Sequence, residues 1–274
     1  MISWWQNLPL NMDPIAFMLG SFPLRFYSIF WVIGFFLAWW CHSLLLRIDG
    51  REKVFQEKLF DGLVWVFLGA FIGGRFGYAL LYMPEYFWQH PSAIFFPVEA
   101  GVFIGFYGMS FFGGVLGVAF ALALFLRKKR ESFFELADYY ALVAPVAIFF
   151  GRIGNFFNGE LSGRVTAVSW GMYFPSGGVV LHHPSQLYEA FLEGAILFIF
   201  LWFIRHRTRE VGILSVSFLL GYGILRFIAE FFREPDQGSP LFFGFSLGQI
   251  YSVALVLISI FIFFSIRRRK DAII

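Results

Sequence analysis

Long apolar runs, broken at intervals by short basic segments, leave this chain few folds to choose from. A helix needs about 20 mostly apolar residues to cross roughly 30 Å of hydrocarbon. Seven runs meet that need, at about 22–46, 61–83, 100–126, 134–151, 187–204, 211–232 and 245–266. The run 100–126 has no charged residue, whereas 134–151 is shorter and contains Pro145. Of 274 residues, 59% are hydrophobic and 14% charged, against about 45–50% and 25% in soluble domains. So few charges cannot cover a water-soluble globule. The single cysteine, Cys41, excludes an intrachain disulfide framework. The fold class expected is an all-α polytopic membrane protein with seven transmembrane helices, forming one integral membrane domain over residues 1–274.

The basic residues orient the runs. Arg47, Arg51, Lys53 and Lys58 follow the first run, and Arg127, Lys128, Lys129 and Arg130 the third. Arg205, Arg207 and Arg209 follow the fifth, and Arg267, Arg268, Arg269 and Lys270 the seventh. Alternate loops are basic, so these face the cytoplasm by the positive-inside rule. The N-terminus is then expected outside and the C-terminus inside, as an odd number of spans requires. Met1 to Gly20 carries no basic residue, so a cleavable signal peptide with a positive leading region is not expected there.

Six basic residues remain: Arg25, Arg75, Arg152, Arg164, Arg226 and Arg233. All are arginine, and all fall within a run or toward the outer side. An ionisable group inside a membrane is costly and signals function by default. Arginine also offers phosphate a planar fork of donors. A site for a phosphate-bearing lipid headgroup near the outer leaflet is the expectation.

Polar residues cluster around these arginines. Tyr222, Arg226 and Glu230 are four apart and Arg233 three further on, which puts all four on one helical stripe. Two readings stand: an Arg226–Glu230 pair that neutralises itself, or a polar face on which Glu230 holds Arg226 for an anionic ligand. In Gly151-Arg152-Ile153-Gly154-Asn155-Phe156-Phe157-Asn158-Gly159-Glu160-Leu161-Ser162-Gly163-Arg164, four glycines let a backbone bend and approach a ligand. Arg152, Asn155, Asn158 and Glu160 supply polar groups; a solvated outer turn is the alternative. Gly74-Arg75-Phe76-Gly77 is a short echo. Residues 156–186, with β-type and turn residues between Val165 and Pro175, are expected to form a small periplasmic head. The head ends in His182-His183-Pro184-Ser185-Gln186-Leu187-Tyr188-Glu189, and Gln186, Glu189 and Glu193 share a face of the fifth run. Adjacent histidines point apart and no cysteine or carboxylate set completes a zinc site, so no metal and no other cofactor is expected. Tyr107 to Gly114 is read as close helix packing by small residues. Cys41-His42 lies near the inner end of the first run, away from the other polar groups.

Five motifs in order resemble the bacterial prolipoprotein diacylglyceryl transferases. They are Phe22-Pro23-Leu24 with Tyr27, Gly108-Met109-Ser110-Phe111 with Gly113-Gly114, and Gly151 to Gly163. The other two are His183 to Glu189, and Gly221-Tyr222-Gly223 with Arg226, Glu230-Phe231-Phe232-Arg233 and Pro235-Asp236. The resemblance implies a seven-span inner-membrane enzyme with its site toward the periplasm. It implies transfer of the diacylglyceryl group of phosphatidylglycerol to the lipobox cysteine of prolipoprotein signal peptides, releasing glycerol 1-phosphate. Arg152 and Arg226 would contact the headgroup, with Tyr27, Asn155, Glu160, Gly163, Tyr222 and Glu230 completing the pocket. Asn158 and Arg233 are added to the substrate-binding set, and Glu160, Tyr27 or His183 are candidate proton acceptors. Membrane lipids are expected partners, nucleic acid is not. The sequence departs from the family at Phe112, where many members carry histidine. Two other classes stay open: an anionic-solute transporter, and a non-catalytic lipid- or lipoprotein-binding homologue.

Overall fold

In hydrocarbon, every backbone N–H and C=O must find its partner within the chain, which leaves helices as the spanning element. The computed structural model describes residues 1–274 except 1, 21, 51, 97, 100–101, 104–107, 130–132, 209, 236–243 and 272–274. Arg51, Tyr107, Arg130, Arg209 and Asp236 of the sequence features above lie outside the described residues.

The chain opens with a short helix α1 (Ile2–Gln6) and an antiparallel hairpin of β1 (Ile15–Leu19) and β2 (Phe22–Arg25). Helices α2 (Phe26–Ile48), α3 (Glu52–Leu81) and α4 (Pro84–Gln89) follow, then a minimal hairpin of β3 (Val98–Glu99) and β4 (Val102–Phe103). Next come α5 (Phe111–Lys129) and α6 (Phe133–Phe157). One further helical stretch runs from Ser185 to Arg207 as α7 (Ser185–Glu189), a π-helical segment (Ala190–Ile196) and α8 (Leu197–Arg207). The last two are α9 (Ile213–Ala229) and α10 (Leu247–Asp271).

Among the described residues, five helices are long and apolar enough to cross a membrane: Phe26–Ile48, Asp61–Leu81, Phe133–Phe157, Ser185–Arg207 and Leu247–Arg268. Phe112–Arg127 and Ile213–Ala229 are shorter apolar helices. The protein is thus a mostly helical, polytopic membrane protein.

Several boundaries differ from the sequence expectation; α3 already starts at Glu52, ahead of the run at 61, so Lys53 and Lys58 lie in a helix. The first helix starts at Phe26, because Phe22–Arg25 pairs with Ile15–Leu19 as a strand; Arg25 therefore sits in a hairpin. The third run yields a helix from Phe111, and ahead of it Val98–Glu99 and Val102–Phe103 pair as antiparallel strands. The fourth helix continues past residue 151 to Phe157, so Arg152 and Asn155 are helical and not in a loop. Hydropathy cannot see these limits, because β-branched and aromatic residues serve strand and span equally well.

The chain divides into two compact units, one of Leu46–Ala137, the other of Met1–Leu45 with Asp138–Ile274. In the first, α3 and α5 touch backbone to backbone. Gly69, Gly73 and Gly77 lie against Gly113 and Gly117, and a Cβ on any of them would strike the facing main chain. This is the close approach that small residues at four-residue spacing permit. Arg75, buried in the same unit, donates to the carbonyls of Ala93, Ile94 and Gly108 at 2.9–3.0 Å. It thereby ties the segment before α5 to α3.

In the second unit, residues 158–184 form an irregular segment with single bridges, Gly163 with Arg233, and His182 with both Val165 and Met172. Its core is Phe156, Met172 and Phe174, with Trp5, Leu8, Met12, Phe157 and Leu187 packed against them. Helix α1 is fastened to it by Trp5 Nε1 donating to the Trp170 carbonyl (2.9 Å) and by the Tyr173 amide donating to the Gln6 carbonyl (2.8 Å).

Candidate active site

The C-terminal turns of α6, the Ser185–Ile196 stretch and the end of α9 all belong to this second unit, and they bring charged side chains together. Helix α6 ends at Asn158-Gly159, where Gly159 adopts φ +65° and the Asn158 amide closes onto Gly154 O at 3.0 Å. A left-handed glycine just past the last turn is the usual helix stop. Arg152 and Asn155 therefore project from the final turns of a rigid helix. Tyr27, at the start of α2, packs on Gly154, where a Cβ would meet its ring.

The arginines meet two carboxylates that the sequence marks only as sharing a helix face. Arg152 Nη1 lies 2.9 Å from Glu189 Oε2, and its Nη2 lies 3.2 Å from Glu193 Oε2. Arg226 Nη1 lies 3.0 Å from Glu189 Oε1 and 3.4 Å from Glu193 Oε1. Each guanidinium thus bridges both acids. Arg226 Nη2 also pairs with Glu230 Oε2 at 2.5 Å, and Arg233 Nη1 reaches Glu189 Oε1 at 3.4 Å. Glu189 and Glu193 are 1% and 0% exposed. Buried charge of this kind survives only when paired.

Glu193 lies within the π-helical segment Ala190–Ile196, and Glu189 directly precedes it. Such segments are rare and tend to mark functional sites. Gln186, just before Glu189 in the same helix, donates from Nε2 to the Glu160 carbonyl at 2.5 Å, and Ser185 Oγ donates to the Leu161 carbonyl at 2.8 Å. These two bonds hold Leu161 at φ +59°, a conformation costly for a residue with a side chain.

Glu230 has a second set of partners. It caps α9, and its Oε1 accepts from Ser246 Oγ at 2.9 Å. Ser246 and Gln249 form a reciprocal capping box at the start of α10: the Ser246 amide donates to Gln249 Oε1 (3.0 Å) and the Gln249 amide to Ser246 Oγ (3.2 Å). Gly248 closes the arrangement, since a Cβ there would meet the Glu230 carboxylate. Ser246-x-x-Gln249 ahead of an apolar run is a legible helix-start signal.

The remaining residues fall around this core. Asn155 Nδ2 donates to Glu160 Oε1 at 2.9 Å, and Asn158 Nδ2 to the same oxygen at 3.4 Å. Tyr222 is buried one turn before Arg226 and stacks on Phe218. Arg233 lies beyond the end of α9, not on its stripe, and joins the site through Glu189 and its bridge with Gly163. A Cβ on Gly163 would strike the Phe232 and His183 carbonyls. His183 packs between Tyr188 and Phe232, with Nδ1 3.2 Å from the Tyr188 hydroxyl, and partial burial pushes its imidazole below the usual value.

Of the six arginines set apart in the sequence, three converge: Arg152, Arg226 and Arg233. Arg25 sits in the β1–β2 hairpin and Arg75 in the other unit bound to carbonyls. Arg164 donates from Nε to the Arg233 carbonyl at 3.0 Å, which is a structural tie in the head. The Arg226–Glu230 pair is real, yet Arg226 also serves Glu189 and Glu193, so the pair does not merely neutralise itself. Two guanidinium forks facing one point are suited to a phosphate.

The family model for prolipoprotein diacylglyceryl transferase matches residues 14–265. A phosphatidylglycerol–prolipoprotein diacylglyceryl transferase of Chlorobaculum tepidum is 44% identical over 262 residues, covering 93% of this chain and 90% of the relative. Proteins of the same name from Idiomarina loihiensis and Geobacter sulfurreducens are 43% identical over 271 residues and 41% over 263. They cover 98% and 95% of this chain, and 97% of each relative. The span of the match and its level of identity place the chain in the prolipoprotein diacylglyceryl transferase family.

Proposed function

We propose that this protein transfers the diacylglyceryl group of phosphatidylglycerol to the lipobox cysteine of prolipoproteins, releasing glycerol 1-phosphate, as the first step of bacterial lipoprotein maturation. The observation that carries the reading is the buried meeting of Arg152 and Arg226 on a shared pair of carboxylates, inside helices of apolar composition. The names of the relatives agree with it. The protein sits in the cytoplasmic membrane with seven spans, α5 and α9 being the short ones. The basic loops lie inside, and the N-terminus and the 156–186 head lie on the periplasmic side.

The nucleophile belongs to the partner. An ordinary cysteine thiol has a pKa near 8.5 and attacks only as thiolate. The sulfur attacks the glycerol carbon that bears the phosphodiester, and the C–O bond to phosphate breaks. Arg152 and Arg226 take the phosphate oxygens and stabilise the negative charge that builds on the leaving group. Arg233 and Glu230 fix the orientation of this pair. Tyr27, Asn155, Asn158, Glu160, Gly163 and Tyr222 line the substrate side, with His183 at the mouth.

The test is direct. Purified protein is incubated with phosphatidylglycerol labelled in its headgroup glycerol and with a lipobox peptide. Release of glycerol phosphate that depends on the peptide cysteine is the expected result; folded protein that releases none overturns the reading.

A further inference from the structure

Six charged side chains meet in the site, Arg152, Arg226 and Arg233 against Glu189, Glu193 and Glu230, and their formal charges cancel. A phosphodiester brings one more negative charge. Its entry leaves a buried site with one excess negative charge, and a carboxylate that loses its cationic partners becomes the easiest group there to protonate.

The three acids are not equally able to do so. Glu230 is held by Arg226 and also by Ser246 Oγ at the start of α10. Glu189 is shared by all three arginines. Among the described residues, Glu193 forms ion pairs only with Arg152 and Arg226, at 3.2 and 3.4 Å. Those are the two guanidiniums assigned to the phosphate. A phosphate that occupies both forks removes both partners of Glu193, while Glu189 keeps Arg233 and Glu230 keeps Ser246. The charged and titratable groups facing Glu193 are Arg152 from α6, Arg226 and Tyr222 from α9, and Glu189 from its own helical stretch. The reaction supplies one proton, that of the incoming thiol.

We propose that Glu193 accepts the proton of the substrate cysteine, and is a further catalytic residue of the transfer. The inference rests on the transferase reading above. Phosphatidylglycerol displaces Glu193 from the two arginines. The S–H bond breaks and its proton goes to the Glu193 carboxylate. The sulfur electron pair forms the S–C bond, and the C–O bond breaks with its pair retained on the phosphate oxygen. The proton then passes from Glu193 to the departing glycerol phosphate, and the carboxylate returns to the arginines. Atoms and charges balance without any further reactant.

The experiment compares a lipobox peptide carrying cysteine with the same peptide carrying selenocysteine, whose selenol is ionised at neutral pH and needs no base. Phosphatidylglycerol binding is measured alongside. Glu193→Gln is expected to slow transfer to the cysteine peptide by roughly 100-fold or more, to keep transfer to the selenocysteine peptide within about tenfold of wild type, and to bind phosphatidylglycerol at least as well. Cysteine transfer kept within about threefold overturns the proposal, as does equal loss with both peptides or loss of lipid binding, which a purely structural role predicts. If Glu193→Gln does not fold, Glu193→Asp decides. Its cysteine-to-selenocysteine rate ratio must fall about tenfold or more below wild type, and an unchanged ratio overturns the proposal. Wild-type protein inactive on both peptides would instead overturn the transferase reading itself.

Discussion

Glu189 joins all three arginines of the site, so replacing it with glutamine tests the electrostatic account directly. The substitution keeps the shape and removes the charge. Glu189 contacts Arg152, Arg226 and Arg233 at 2.9, 3.0 and 3.4 Å, with all four side chains at most 16% exposed. Each contact carries about 5 kcal/mol of gross attraction at an effective dielectric near 20. Most of that is offset, because glutamine no longer incurs the cost of burying an anion and the arginines keep Glu193 and Glu230. Breaking a buried ion pair from one side costs about 3–5 kcal/mol net, and that is the expected loss for Glu189→Gln. The assay is SDS-induced unfolding in detergent micelles, followed by circular dichroism. A second substitution, Arg233→Gln, restores equal numbers of charges. The double variant is expected to recover about 2 kcal/mol of the loss, within the range of coupling between contacting residues. A double variant as unstable as the summed singles would refute the reasoning, since Glu189 would then not act through its charge.

Four further outcomes follow from the same geometry. Arg226→Lys keeps the charge and loses the fork, so transfer kcat/KM should fall about 100-fold; near-normal transfer in the labelled-lipid assay would refute bidentate phosphate binding. Gly163→Ala forces a Cβ onto the Phe232 and His183 carbonyls and should cost about 1–3 kcal/mol in the same unfolding assay; an unchanged midpoint would show that the head bridge yields freely. Asp138 accepts from the Gly212 and Ser215 amides at 2.6 and 2.7 Å at the start of α9, so Asp138→Ala should cost about 1–2 kcal/mol, and hydrogen exchange should quicken at those two amides first. Burial disfavours the His183 imidazolium, so its NMR titration midpoint should lie below the ordinary value of about 6.5, and a midpoint at or above it would contradict the packing. Because the folded-state value is the lower one, the contribution of His183 to stability is fully present above that ordinary pH and is lost as pH falls through the folded-state value.

Much of the site is legible in the sequence, and the gaps have physical causes. Arg226 stands out because it interrupts an apolar run and Arg152 because it directly follows one, and a charge in hydrocarbon needs a reason. Their partners do not stand out. Glu189 and Glu193 lie on a third segment, and no local spacing connects them to residues 152 and 226. The available clue is charge balance: three arginines in or beside apolar runs call for three acids, and Glu230 alone cannot suffice. Arg233 belongs to the cluster, but not through the helical spacing that suggests it, since α9 ends at Ala229 and Arg233 enters through a turn. The late start of the third helix shows the limit of hydropathy. Val102–Phe103 share the apolar character of the run, and only their pairing with Val98–Glu99 reveals a strand there.

The cancelling charges also bear on how the chain is built. A lone Arg or acidic residue costs about 2.5–3.5 kcal/mol at the centre of an inserting helix on insertion scales, and less toward the ends, where these charges lie. Helix α6 emerges first with Arg152, then the Ser185–Arg207 stretch with Glu189 and Glu193, then α9 with Arg226. None of the three is at ease in lipid alone, and each is relieved by the next. Pairing therefore has to accompany insertion, in chain order. A chain cut after α8 would hold two acids against one arginine, and such a fragment is expected to linger at the insertion machinery instead of releasing into the bilayer.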